Sequence, residues 1–207
     1  DYTDYGNAAF DCPGHQGGQF FRKHPSGRRF YLYFGETLFR ADSCNADVRL
    51  GDLLIHEGPA FEAQAHAAKV FNADKTYFVL NGTSSSNKIA IGALVAHGDL
   101  VLFDRNNHKS VYQGALTMAG GTPVYLETDR NAYGLIGGIP AYCFDEAEIR
   151  ARIREVAPDK ADDARPFRLA VIQLGTYDGT IYNGRQVVDR IGHLCDYILF
   201  DSAWVGY

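Results

Sequence analysis

Cysteine is scarce in this 207-residue chain: Cys12, Cys44, Cys143 and Cys195 lie far apart, and no two stand in Cys-x-x-Cys spacing. That pattern excludes a tight disulfide framework and a zinc-finger site, so reduced thiols in a cytoplasmic chain are expected. Basic runs are missing as well. Twenty Lys and Arg against 25 Asp and Glu leave a formal net charge of -5, without the electrostatic footprint of a nucleic-acid binder. No stretch approaches the ~20 apolar residues of a membrane-spanning helix, and the opening Asp1-Tyr2-Thr3-Asp4-Tyr5 has no signal-peptide pattern. Neither nucleic acid nor membrane is therefore an expected partner. An initiator Met is also lacking, and the last residues read as a strand delivering an acid to a sheet edge; both features lead us to expect a fragment of a longer protein.

What is present is a core-forming composition, 46% hydrophobic with 13 Tyr and 13 Phe, enough for one domain with an appendage. From residue 61 onward strand-like apolar runs alternate with helix-like segments, the pattern of a mainly parallel sheet covered by helices on both faces, a three-layer α/β fold. The runs at 76–80, 100–103, 123–126, 169–174 and 197–200 read as strands, the last one buried. Segments 61–71, 84–96, 108–119, 145–156 and 184–195 read as helices. Residues 1–50, rich in Gly, Arg and aromatics without a clear period, read as an arm or irregular lead-in to a domain spanning 51–207. The polar stretch 157–166, bracketed by prolines and followed at once by a strand, reads as a surface loop.

Three places carry chemistry. Asn81-Gly82-Thr83-Ser84-Ser85-Ser86-Asn87-Lys88 follows a strand-like run and opens a helix, so hydroxyls and free N–H groups meet at the positive end of a helix dipole. That suits a phosphate. A nucleotide P-loop is ruled out, because Asn87 stands where its second Gly belongs and Ile89 follows Lys88. The plain alternative is a serine-rich helix cap. His108, in Asp104-Arg105-Asn106-Asn107-His108-Lys109-Ser110, opens the next helix at the same sheet edge, either as a structural residue or as a flat ring able to stack on an aromatic ligand. Asp201 ends the final strand, either hydrogen-bonded to its own turn or presenting a carboxylate to a ligand. A phosphate cup at Thr83, Ser84 and Ser85, a stacking ring at His108 and an acid for a protonated ring nitrogen at Asp201 together fit pyridoxal 5'-phosphate.

These blocks, with Asp11-Cys12-Pro13-Gly14-His15-Gln16-Gly17-Gly18, Gly175-Thr176-Tyr177-Asp178-Gly179-Thr180 and Phe200-Asp201-Ser202-Ala203-Trp204, resemble the bacterial ornithine/lysine/arginine decarboxylases of the aspartate-aminotransferase fold, fold type I. The resemblance runs over essentially the whole chain in the family's order. The block from Gly14 to Gly18, with Asp201 to Tyr207, is most similar to the ornithine branch.

The resemblance implies that Ser84 and Ser85, helped by Thr83, hold the phosphate, that His108 stacks on the pyridine ring, and that Asp201 pairs with its nitrogen. Ala203 and Trp204 would line the other side, with Thr176 near the ring's 3-hydroxyl. It implies a lyase of polyamine biosynthesis that decarboxylates a basic amino acid, ornithine to putrescine, as a homodimer with shared active sites or a higher homo-oligomer. An aminotransferase or another lyase of the same fold, or a non-catalytic phosphate-binding fragment, remains the alternative. The family's Schiff-base Lys lies in a Ser-x-His-Lys motif beyond Trp204, and Lys109 does not match it: neighbours on a helix lie about 100° apart. Other histidines lack metal spacing, His15 reads as the cap of a glycine-rich turn, and Glu57 and Glu62 read as exposed helix carboxylates.

Overall fold

The structure, a computed structural model, describes residues 12–44, 49–51, 55 and 57–205. Asp11, His56, Gly206 and Tyr207 lie outside the described residues. Two compact units divide between Phe78 and Val79, so the boundary drawn from the sequence at residue 50 falls inside the first unit.

The first unit is more helical than its sequence suggests. After a 3₁₀ turn at Gln19–Lys23 come α1 (Pro25–Phe34), α2 (Glu36–Ala41) and α3 (Gly58–Val70). Pro25 starts α1 where its missing N–H costs nothing, and His24 Nδ1 caps the helix by accepting from Ser26 N at 3.2 Å. The apolar residues of α1 form one unbroken run, Phe30 to Phe34, which hides the helical period. Tyr31 is buried and stacks on Phe39 at 5.5 Å, whereas Tyr33 is 84% exposed. No strand forms at 76–80; Phe78 N–H donates to the side chain of Gln64 at 3.0 Å, where a strand would have offered a carbonyl.

The second unit carries the sheet. Helix α4 (Thr83–Leu94) leads into β1 (Leu100–Asp104), then α5 (Lys109–Tyr112), which continues as a π-helical turn at Gln113–Met118 into β2 (Thr122–Leu126). Helix α6 (Glu146–Val156), β3 (Phe167–Gln173), α7 (Gly184–Ile191) and β4 (Cys195–Asp201) complete it. All four strands are parallel, in the order β2-β1-β3-β4. One face packs Val101, Phe103, Leu169 and Val171 against Ile91, Val95 and Val111. The other packs Leu102, Ala170 and Ile172 against Ile149, Ile153, Val187 and Ile191. Strands buried on both faces read as continuous apolar runs, which is why 100–103 and 169–174 were legible. Strand β4 differs from the buried strand its sequence suggests. Among the described residues it pairs with β3 alone, and Tyr197 is 45% exposed.

The order also places the site. The connection from β1 runs to β2 on one side and that from β3 runs to β4 on the other, so the crevice outside the carboxyl ends of β1 and β3 is a topological switch point. Register brings Gln173 beside Asp201 at that edge, with Asp104 closing β1.

Candidate active site

A cavity of about 270 Å³ opens at this edge, lined by Asn81, Gly82, Thr83, Ser84, Asn87, His108, Gln173, Tyr177, Asp201, Ala203 and Trp204. Six of the eight side chains expected from the sequence meet there: Thr83, Ser84, His108, Asp201, Ala203 and Trp204. Ser85 and Thr176 stand outside the lining. Ser85 Oγ donates to Asn81 O at 3.3 Å, and Thr176 Oγ1 accepts from Thr180 N at 3.2 Å, so each hydroxyl serves its own turn.

The chain enters α4 through Gly82, whose φ of 77° and ψ of 176° suit glycine, with open space where a side chain would be. Gly82 O then accepts from Ser85 N at 3.0 Å and Ser86 N at 3.2 Å. No side chain caps this helix, and the backbone N–H groups of Thr83 and Ser84 meet no acceptor among the described residues. Two orphan donors and two hydroxyls thus stand at the positive end of a 12-residue helix, an arrangement able to take an anion.

His108 is the N-cap of α5. Its Nδ1 accepts from Ser110 N at 3.2 Å and lies 2.9 Å from Ser110 Oγ. Asp201, only 3% exposed, ends β4 with both oxygens engaged: Oδ1 accepts from Ala203 N at 3.2 Å and Oδ2 from Asn87 Nδ2 at 2.9 Å. A carboxylate has about four acceptor positions, so it retains capacity for one more donor from the cavity. At the mouth, Tyr177 and Trp204 meet edge to face, centroids 5.1 Å apart, both more than half exposed.

Sequence reasoning missed Asn87, Gln173 and Tyr177. Asn87 had a usable signal: it lies four residues after Thr83 and three after Ser84, hence on the same face of α4. Gln173 Nε2 donates to Gly175 O at 3.0 Å and to Asp201 O at 3.3 Å, joining the ends of β3 and β4, which only the strand register reveals. Lys109 is exposed and Lys88 half-buried, and neither belongs to the lining. In the first unit, His15 Nδ1 accepts from Gly18 N at 3.2 Å while Nε2 lies 3.0 Å from Asp42 Oδ2, closing the glycine-rich turn. No metal-binding cluster of His, Cys, Asp and Glu occurs among the described residues, and no helix there is long and apolar enough to cross a membrane.

Comparison with known proteins adds to this geometry. The family model described as Orn/Lys/Arg decarboxylase, major domain, matches residues 1–207. The chain is 75% identical over 207 residues to the inducible ornithine decarboxylase of Escherichia coli (strain K12), covering all of this chain and 28% of that protein. It is 72% identical to the ornithine decarboxylase of Haemophilus influenzae, covering 29% of it. Among solved structures, lysine decarboxylase A from Pseudomonas aeruginosa superposes with a TM-score of 0.89 at 40% identity, over the whole of this chain and 27% of that one. The chain thus spans less than a third of the length of these relatives.

Proposed function

The chain belongs to the Orn/Lys/Arg decarboxylase family, and on that premise we propose that it forms the pyridoxal 5'-phosphate-binding face of a decarboxylase acting on ornithine. The observation that carries this reading is the convergence of the buried Asp201 carboxylate, the open N-terminus of α4 and the imidazole of His108 on one cavity.

The donor set fits that cofactor. The hydroxyls and N–H groups of Thr83 and Ser84 suit a phosphate dianion, and the helix dipole adds to the attraction. His108 offers a flat ring for stacking. Asp201 keeps acceptor capacity for an N–H, so it holds a proton on a ring nitrogen and stabilises the resulting positive charge. Tyr177 and Trp204 stand at the mouth, where they limit the access of water. When bound, the cofactor supplies the electron sink that lets the Cα carboxylate leave as carbon dioxide, after which Cα takes up a proton and the product is an amine. Neither Lys88 nor Lys109 lines the cavity, so the Schiff-base amine comes from another part of the full-length protein.

Ornithine is favoured over lysine because relatives named ornithine decarboxylase are 70–75% identical, whereas the lysine decarboxylase LdcA is 41% identical. Putrescine is then the product, polyamine biosynthesis the use, and a cytoplasmic homodimer the form. A lead-in over 1–50 and a cofactor-binding domain from 51 onward belong to the same reading.

The test is Asp201→Asn in the full-length protein. Carbon dioxide release from ornithine should fall on the order of 10²-fold, as when a positioned electrostatic group is removed, while half-saturation by the cofactor moves far less. Undiminished turnover would remove Asp201 from the ring-nitrogen role.

A further inference from the structure

We propose that Asn87 and Ser110 are positioning residues that couple the Asp201 carboxylate to the His108 imidazole and fix that imidazole in its Nε2-H tautomer. The proposal rests on the pyridoxal-phosphate reading of the same cavity. Asn87, Ser110 and Asp201 are 4%, 2% and 3% exposed, so each polar group has exchanged water for a protein partner. The partners form one chain. Asn87 Nδ2 donates to Asp201 Oδ2 at 2.9 Å and to Ser110 Oγ at 3.2 Å, and Ser110 Oγ lies 2.9 Å from His108 Nδ1.

The direction of each bond follows from the donor inventory. An ionised Asp201 only accepts, so the Asn87 amide faces it with its NH₂ group rather than its carbonyl. Both amide hydrogens are then committed, one to Asp201 and one to Ser110 Oγ. Ser110 Oγ, having accepted, has its own hydrogen left to give, and the nearest acceptor is His108 Nδ1. The backbone N–H of Ser110 also donates to Nδ1, at 3.2 Å. With two donors on it, Nδ1 carries no hydrogen, and the ring proton sits on Nε2. Two donors from one residue also set the tilt of the ring.

Apolar side chains would fill Asn87's and Ser110's positions at lower cost, since a buried polar pair stabilises little beyond what its desolvation takes. What the polar pair adds is geometry. The acid for the ring nitrogen and the ring for the cofactor's face, from elements 93 residues apart in sequence, 108 against 201, are held in one hydrogen-bonded frame. Helix α4 contributes at both levels, with Thr83 and Ser84 at the phosphate and Asn87 one turn further on the same face.

The experiment compares full-length holoenzymes carrying Ser110→Ala, Ser110→Thr and Asn87→Ala. The readouts are the visible absorption and circular dichroism of the bound cofactor, kcat and KM for ornithine, and cofactor half-saturation. Ser110→Ala should lower kcat about tenfold and weaken the cofactor's dichroism with KM nearly unchanged, and Ser110→Thr should restore both. Asn87→Ala should show the same signature more strongly. If that variant does not fold, the Ser110 pair decides. A Ser110→Ala enzyme with a lower melting temperature but unaltered dichroism and kcat overturns the proposal and reduces the network to packing. The underlying reading fails differently: a full-length protein that binds no pyridoxal phosphate, or an Asp201→Asn spectrum identical to the parent's, removes the cofactor site itself. A spectrum that shifts with Asp201→Asn and not with Ser110→Ala removes the coupling alone.

Discussion

The backbone N–H of Gln173 donates to Asp104 Oδ2 at 3.2 Å, joining the ends of two neighbouring strands across 69 residues of sequence. The other oxygen accepts from Asn106 N at 2.8 Å, so Asp104 also shapes the turn that delivers His108. Burial pushes the Asp104 carboxyl up to about 6, and the two N–H groups only partly oppose that. Because the folded value lies above the ordinary 3.8, the carboxyl's contribution is fully present below about pH 3.8 and is lost as pH rises through about 6. The whole effect amounts to at most about 3 kcal/mol. Asp104→Asn abolishes this titration. Relative to the parent, the variant should therefore be more favourable at about pH 7.5 than at about pH 4, as read from urea midpoints at the two values. A parent-to-variant difference independent of pH would show that the carboxyl titrates normally.

How much of this was legible in the sequence depends on where the determining contacts lie. The runs at 100–103 and 169–174 announce themselves because burial on both faces demands uninterrupted apolar residues. His108 and Asp201 could be placed together because one follows a sheet strand and the other ends one, and a parallel sheet gathers those positions at a single edge, whereas Thr83 and Ser84 reach the same cavity from the N-terminus of α4 although the run before them forms no strand. Residues 76–80 have the same β-forming composition, yet a side-chain acceptor, Gln64, takes the Phe78 N–H, a contact 14 residues away that no local pattern encodes. The helices within residues 19–41 were hidden because they are short and the apolar residues of α1 form one unbroken run, Phe30 to Phe34, in which no polar residue marks a helical period. Gln173 depends on strand register, which is a property of the assembled sheet.

Gly175 bears on the site through space. A Cβ there would sit 2.5 Å from Val205 Cγ1 and 3.0 Å from Cγ2, and Val205 belongs to the segment that carries Ala203 and Trp204 past the cavity. Gly175→Ala must push that segment outward, at the roughly 1–3 kcal/mol that overpacking costs. Cofactor half-saturation of the full-length protein should rise accordingly, and Val205→Ala added to Gly175→Ala should recover most of the loss. If the single substitution leaves the titration where it was, the 202–205 segment does not help to seat the ligand.

Arg168 lies at the opposite end of the sheet. Its Nε donates to Leu94 O at 2.8 Å, Nη1 meets Asp196 Oδ2 at 3.1 Å, and the guanidinium lies 4.9 Å from the Tyr197 ring centre. The Asp196 pair is well exposed and contributes little by itself. The bond to the last turn of α4 and the stacking on Tyr197 need a planar fork, which lysine lacks. Arg168→Lys should lower stability by about 1 kcal/mol and leave cofactor half-saturation unchanged. A weakened cofactor titration in this variant would mean that strain passes along α4 from its C-terminus to Thr83.

Ser84 and Ser85 are adjacent in sequence, but the structure gives them different surroundings, and that difference makes a discriminating pair. Ser84 lines the cavity, whereas Ser85 Oγ donates to Asn81 O at 3.3 Å within the turn that opens α4. If the N-terminus of α4 is a phosphate cup, Ser84→Ala removes a charge-assisted hydrogen bond of about 1.5–3 kcal/mol and raises the cofactor concentration for half-saturation roughly 10- to 100-fold. Ser85→Ala removes a neutral, partly solvated bond, costs less than about 1 kcal/mol of stability, and shifts the titration little. The two titrations, run side by side on full-length protein, separate a ligand site from a helix cap. Equal, small shifts would assign the serine run to capping, and a larger shift for Ser85→Ala would mean that its hydroxyl leaves Asn81 for the phosphate when the ligand binds.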